Sequence, residues 1–227
     1  ICAIKGFMAF LVAENKRYDN PLQLFDRPAL GSSLPKSLSE KELMQLIHCA
    51  EQDNSIRGVM SLAIIEILYA TGCRVSELCQ LEASPFRHRR QTIIITGKGK
   101  KERMVALTES ALQASEAWLA MRDQVPAYIA LPWLFPSGRQ DKPISRQYIY
   151  TLLRDLAIKA GINPEKMSPH VLRHSFATHM LNRGADLRSL QLLLGHADIS
   201  TTEIYTKTRD DRLMGLVKDT HPLADES

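Results

Sequence analysis

The sequence predicts a mainly α-helical protein with one small antiparallel β-sheet, an α+β fold. Apolar residues recur at helical spacing along most of the chain. One stretch breaks that rhythm. QTIIIT (Gln91–Thr96) and ERMVAL (Glu102–Leu107) flank the glycine-rich turn GKGKK, and their β-branched residues read as a hairpin. A third observation divides the chain. From Tyr18 to Leu38 it runs through Asn-Pro, Arg-Pro, Gly-Ser-Ser and Leu-Pro-Lys. Proline removes donors and restricts its predecessor, and the Gly-Ser step adds freedom, so this is linker chemistry. Residues 20–36 are expected to be a linker, with a separate element in 1–19 and the main domain in 37–227.

The elements follow in order. Ile4, Phe7, Met8 and Leu11 put one apolar face on a helix over residues 1–15. The chain enters that helix at once from Ile1, which suggests a fragment of a longer protein. Ser39 and Glu42 have capping-box spacing, and Leu43, Leu46 and Ile47 supply the buried stripe behind them. The next helix, Ile56–Ala70, is almost wholly apolar from Met60 to Tyr69 and should lie in the core. Gly72 interrupts it, and a short helix carries Arg74, Glu77 and Leu78. After the hairpin, helical patterns cover 108–123, 145–160, 169–183, 186–194 and 199–206, and Arg212–Lys218 is a last amphipathic segment.

Composition excludes several classes. A hydrophobic fraction of 44% with 24% charged residues is ordinary for a globular protein, and no apolar run is long enough to cross a membrane. Cys2, Cys49, Cys73 and Cys79 form no CxxC pair, so neither a disulfide framework nor a zinc ribbon is indicated, and a cytoplasmic location is expected. The net charge of +4 implies little by itself, but its distribution says more. Arg87, Arg89, Arg90, Lys98, Lys100, Lys101 and Arg103 crowd one window against the single acid Glu102. That is the footprint of a phosphate-binding surface, although charge alone fits a solvated loop equally well.

Four segments carry chemistry: ATGCRVSEL (Ala70–Leu78), TGKGKKER (Thr96–Arg103), SPHVLRHSFATHML (Ser168–Leu181) and LLGHADISTTEIYTK (Leu193–Lys207). Taken singly, each has a bland explanation. Arg74 could pair with Glu77, GKGKK could be only a turn, His196 could stop a helix, and Tyr205 could pack in a core. His170 and His174 have the i,i+4 spacing of a zinc pair, but no third ligand and no intervening glutamate accompany them, so no metal is expected. Taken together they form a set for nucleophilic attack on a phosphodiester. Two guanidiniums can fork hydrogen bonds to the non-bridging oxygens, where charge grows in the transition state. A phenol needs a neighbour to accept its proton, and the leaving oxygen needs a proton from an acid such as a lysine on a mobile turn.

The same segments resemble the tyrosine recombinase, or phage integrase, family, and most closely its bacterial Xer branch. The family pattern of an arginine in TGxRxSEL, a lysine in a GKGxKxR hairpin, HxLRH, GH and a tyrosine nine residues later appears here as TGCRVSEL, GKGKKER, HVLRH, LLGH and IYT, in that order. The resemblance implies that Arg74 and Arg173 hold the scissile phosphate, with His196 adding a hydrogen bond. It makes His170 the acceptor of the tyrosine proton and Lys98 the general acid for the 5′-hydroxyl, with Lys100 and Lys101 as rivals. Tyr205 would form a 3′-phosphotyrosyl link, with no ATP, cofactor or metal required. Glu77 would orient the basic cluster, and Arg87, Arg89, Arg90, Lys100, Lys101 and Arg103 would contact DNA.

The resemblance further implies that residues 1–19 are the last helix of a truncated N-terminal core-binding domain. The implied partners are a specific double-stranded recombination site and related recombinase protomers in a tetrameric synapse, with a second Xer protein and a DNA translocase as further candidates. The tail from Asp210 to Pro222, striped by Leu213, Leu216 and Val217, would dock on a neighbouring protomer; the alternative is a helix folded back on its own domain. Chromosome-dimer resolution at cell division is the expected outcome. A phage or mobile-element integrase or a type IB topoisomerase would share the chemistry. A non-catalytic helix-turn-helix over residues 186–206 is the alternative from another class.

Overall fold

A computed structural model of the chain describes residues 8, 10–12, 14, 16, 37–97, 99, 101–138, 141–195 and 207–224, with backbone only for 207–212. The chain divides into two compact units, Ile1–Leu34 and Pro35–Ser227. In the first, positions 8 and 10–12 are helical, as their apolar spacing predicts, and Glu14 N donates to the Phe10 carbonyl at 2.9 Å.

The second unit opens with helix α1 (Glu40–Glu51), started by the anticipated capping box: Ser39 N donates to the Glu42 carboxylate at 2.8 Å, and Glu42 N donates to Ser39 Oγ at 3.2 Å. Helix α2 (Ile56–Thr71) is the core of the unit. Its residues from Ala63 to Ala70 are buried on every face because neighbours surround it, with α1 and the later helices Glu109–Arg122 and Pro169–Asn182 packed against it. Helix α2 stops at Gly72, whose left-handed φ of 56° closes the last turn. Short helices α3 (Val75–Cys79) and α4 (Ser84–Arg87) lead to strands β1 (Thr92–Thr96) and β2 (Glu102–Ala106), which pair antiparallel with Thr92 opposite Ala106 and Thr96 opposite Glu102. Alternation holds along β1: Ile93 and Ile95 are buried while Ile94 is half exposed.

Helices α5 (Glu109–Arg122), α6 (Pro126–Ile129), α7 (Arg146–Lys159), α8 (Pro169–Asn182), α9 (Leu187–Leu194) and α10 (Lys207–Thr220) complete the unit. The mainly helical fold with one two-stranded sheet is the one expected. The sequence reading missed α4 and α6. Each is a single turn opened by proline, too short to show a hydrophobic period. The anticipated helix over 199–206 and the linker over 20–36 lie outside the described residues.

In the single chain the C-terminal segment packs on its own domain. Leu213 and Leu216 pack on the core, and Val217, Thr220, His221 and Leu223 are buried. His221 fastens it. Its Nδ1 accepts from Leu223 N at 3.1 Å, so Nε2 carries the proton and donates to the Tyr69 carbonyl at 3.1 Å. The imidazole lies against the rings of Tyr69 and Phe176, and burial holds its pKa down at about 4. Beside it, His179 Nε2 donates to the Leu38 carbonyl at 2.9 Å, leaving Nδ1 to accept from the Tyr69 hydroxyl at 2.8 Å.

Candidate active site

The site begins where α2 ends. Gly72 turns the chain out of the core, and two residues later Arg74 caps α3. The Arg74 amide donates to Glu77 Oε2 at 2.7 Å and its Nη1 donates to Oε1 at 3.0 Å, so the carboxylate one turn on fixes both the backbone and the guanidinium. Arg103 reaches the same carboxylate from β2 with a parallel fork, Nη1 to Oε1 at 2.9 Å and Nη2 to Oε2 at 2.7 Å. Its Nε donates to the Leu193 carbonyl at 2.8 Å, near the end of α9. The Glu77 side chain is only 3% exposed. Burial alone would raise its pKa, but the bonds from Arg103 and from the Arg74 amide outweigh that and hold it at about 2.

Arg173 enters from α8. It is buried, and its Nη1 donates to the Gly72 carbonyl while Nη2 donates to the Leu194 carbonyl at 2.8 Å. Burial, followed by the charges of Arg74 and Arg103, lowers its pKa to about 10, so it stays charged at neutral pH. Three guanidiniums therefore converge around one carboxylate, an arrangement with net positive charge that suits an anionic ligand. Arg74, with 38% of its side chain exposed, is the most accessible of the ion-paired arginines at Glu77. His170 lies one turn before Arg173 in the first turn of α8 and is exposed.

Of the anticipated site residues, the structure brings together Arg74, Glu77, Arg103 and Arg173. Lys98, Lys100, His196 and Tyr205 lie outside the described residues. Their neighbours are placed: Gly97 and Lys101 flank the lysine turn, and Gly195 closes α9 just before His196. Lys101 and Arg90 are exposed. Arg87 and Arg89 have other partners. Arg87 forks onto Asp123 at 2.5 and 2.8 Å, and Arg89 bonds Glu116 at 2.6 and 2.7 Å and also Glu109. The sequence window showed one acid, but folding brings three more, Glu109 and Glu116 of α5 and its C-cap Asp123, to these two arginines.

The inward setting of Arg103 is the feature that reading by composition missed. Strand phase carries the signal: Arg103 pairs with buried Ile95 and stands two residues from buried Val105, so it shares their inner face.

A family model described as the phage integrase family matches residues 36–212. The tyrosine recombinase XerD of Rhizobium meliloti (strain 1021) is 44% identical over 233 aligned positions, which cover all of this chain and 74% of that protein. The XerD of Brucella suis biovar 1 (strain 1330) is 42% identical over 99% of this chain and 75% of its own length. The XerC of Erythrobacter litoralis (strain HTCC2594) is 43% identical, covering 98% and 71%. Among solved structures, XerA recombinase aligns with TM-score 0.63 and 36% identity over 97% of this chain and 75% of that one. XerH bound to a palindromic difH substrate aligns with TM-score 0.67 and 27% identity over 96% of this chain and 65% of that one.

The fold is that of a tyrosine recombinase catalytic domain. The chain belongs to the phage integrase family, whose tyrosine recombinases are site-specific enzymes that break and rejoin DNA strands, and it is similar to XerD and XerC recombinases of the Xer branch. The chain spans about three quarters of the length of these XerD relatives.

Proposed function

We propose that the chain cuts and rejoins DNA at a specific site through a 3′-phosphotyrosyl link to Tyr205, and that this recombination resolves chromosome dimers at cell division. The convergence of Arg74 and Arg173 carries the reading. Two cations from different elements are held beside each other by Glu77 and by two backbone carbonyls, at a local cost that burial and mutual repulsion make evident in the lowered pKa of Arg173. Preorganised charge of this kind stabilises the pentavalent phosphorane-like transition state more than the ground state.

In the proposed reaction the Tyr205 oxygen attacks the phosphorus, His170 accepts its proton, and the 5′-oxygen leaves with a proton from Lys98. Arg74, Arg173 and His196 hold the non-bridging oxygens. The 5′-hydroxyl of another strand then attacks the phosphotyrosine and releases Tyr205. The bond energy is retained in the phosphotyrosyl ester. Exposed Arg90 and Lys101, with Lys98 and Lys100 of the same turn, are proposed to contact the DNA backbone. Arg87 and Arg89 join them only by exchanging their carboxylates for phosphate.

The proposed partners are double-stranded DNA, further recombinase protomers in a tetrameric synapse, a second Xer protein and a DNA translocase, in the cytoplasm. XerH, bound to difH in its crystal structure, supports DNA as a partner by similarity. Docking of the tail on a neighbouring protomer would replace the contacts that Leu213, Leu216 and Leu223 make with their own domain. The test is a nicked duplex carrying the site that the chain selects from a randomised pool. A denaturation-resistant protein–DNA adduct that disappears in Tyr205→Phe is expected; binding without an adduct overturns the proposal.

A further inference from the structure

We infer that Arg103 is a positioning residue, paired with Glu77 as a brace that sets the catalytic groups relative to one another, and is not a ligand of the DNA phosphates. The inference rests on the proposed roles of Arg74, Arg173, Lys98 and His196.

The brace meets Arg74, a carbonyl beside the one that holds Arg173, and the glycines that precede Lys98 and His196. Arg74 hangs on Glu77 through its amide and its guanidinium. Arg103 Nε holds the Leu193 carbonyl, and the next carbonyl along, that of Leu194, receives Arg173. The lysine turn leaves β1 through Gly97, where an added methyl group would stand 3.1 Å from Glu77 Oε1. His196 follows Gly195, where a methyl group would stand 3.2 Å from Arg103 Cδ and 3.5 Å from Nη1. A shift of the Arg103–Glu77 pair therefore moves Arg74 directly and displaces the backbone from which Lys98, His196 and the Arg173 acceptor extend.

Accessibility points the same way. Three of the five Arg103 N–H groups are directed at Glu77 and Leu193, and its side chain is 10% exposed against 38% for Arg74. The position also needs arginine rather than any cation. A lysine can meet the carboxylate as a point charge, but it cannot make the parallel fork and hold a carbonyl as well.

The experiment compares Arg103→Lys, Arg103→Met, Glu77→Gln and the Arg103→Lys/Glu77→Gln pair. It reads adduct formation in single turnover on the nicked duplex above, thermal melting, and affinity for a duplex of arbitrary sequence at several salt concentrations. Arg103→Lys is expected to slow the adduct step on the order of 100-fold at wild-type DNA affinity. The double variant should be no slower than the worse single one, because both changes break one unit. Arg103→Met should leave the slope of log affinity against log salt unchanged, whereas loss of a phosphate contact lowers it by about 1.

A lower slope in Arg103→Met, or a wild-type adduct rate in Arg103→Lys, overturns the inference. If Arg103→Met does not fold, the Arg103→Lys rate and its coupling to Glu77→Gln decide, and additive losses in that pair also overturn it. A wild-type chain that forms no Tyr205-dependent adduct fails the proposed function itself, and the inference falls with it.

Discussion

Replacing Gly72 by alanine combines a fold effect with a chemical one. The residue has φ of 56°, a left-handed conformation that costs an alanine about 1–2 kcal/mol. Its new methyl group would lie 2.5 and 2.8 Å from Phe176 ring carbons and 2.9 Å from Leu194 Cδ2. The ring has little room to withdraw, being 1% exposed and packed edge-on to Tyr69, so overpacking adds about 1–3 kcal/mol. The sum is a loss of about 2–5 kcal/mol. Gly161→Ala is the control, because φ is 71° there but no neighbouring atom lies within 4 Å of the added carbon, and only the conformational part, about 1–2 kcal/mol, should be lost. Urea unfolding followed by the fluorescence of buried Trp118 measures both. Gly72 and Leu194 supply the carbonyls that hold Arg173, so the adduct rate of Gly72→Ala should also fall at temperatures where the chain remains folded. Equal destabilisation by the two substitutions would refute the packing argument, and an unimpaired adduct rate would refute the link to Arg173.

Three further outcomes are expected. The pKa of His221 is depressed to about 4 when folded, so the unfolded chain takes up that proton first; stability held above pH 6.5 should decline by about 3 kcal/mol as pH falls to 4, and His221→Gln should remove that part of the slope in urea titrations. Deleting residues 210–227 strips buried Val217, His221 and Leu223 from the core, so the melting temperature should drop even without DNA; an unchanged melt would mean that the segment contributes nothing to its own domain. Cys73 and Cys79 are buried, with thiol pKa values pushed up by burial to about 11, so among the described cysteines a disulfide reagent should modify partly buried Cys49 first and reach those two only on unfolding.

Much of the fold was legible because its signals are local. The Ser39–Glu42 capping box, the apolar run of α2, the stop at Gly72 and the β-branched hairpin each depend on neighbours a few residues away, and each appears where it was expected. Single proline-opened turns were not legible, since one turn holds no period. The buried bonds among Tyr69, His179, His221 and Leu38 join residues 110 or more positions apart, and nothing in the local text of any one of them specifies its partners.

The sequence by itself determined the family. The order and spacing of TGCRVSEL, GKGKKER, HVLRH and LLGH followed by IYT are covalent facts, and they name the candidate chemistry before any contact is known. The tertiary structure alone decided which partners the described cations take. Seven basic residues from Arg87 to Arg103 read as one patch, but charge counted along a chain ignores direction. Folding sends Arg87 and Arg89 to carboxylates on α5 and at its C-cap and turns Arg103 inward with the phase of β2, onto Glu77. Electrostatic energy depends on distance and burial in three dimensions, and both are settled only when separate elements pack.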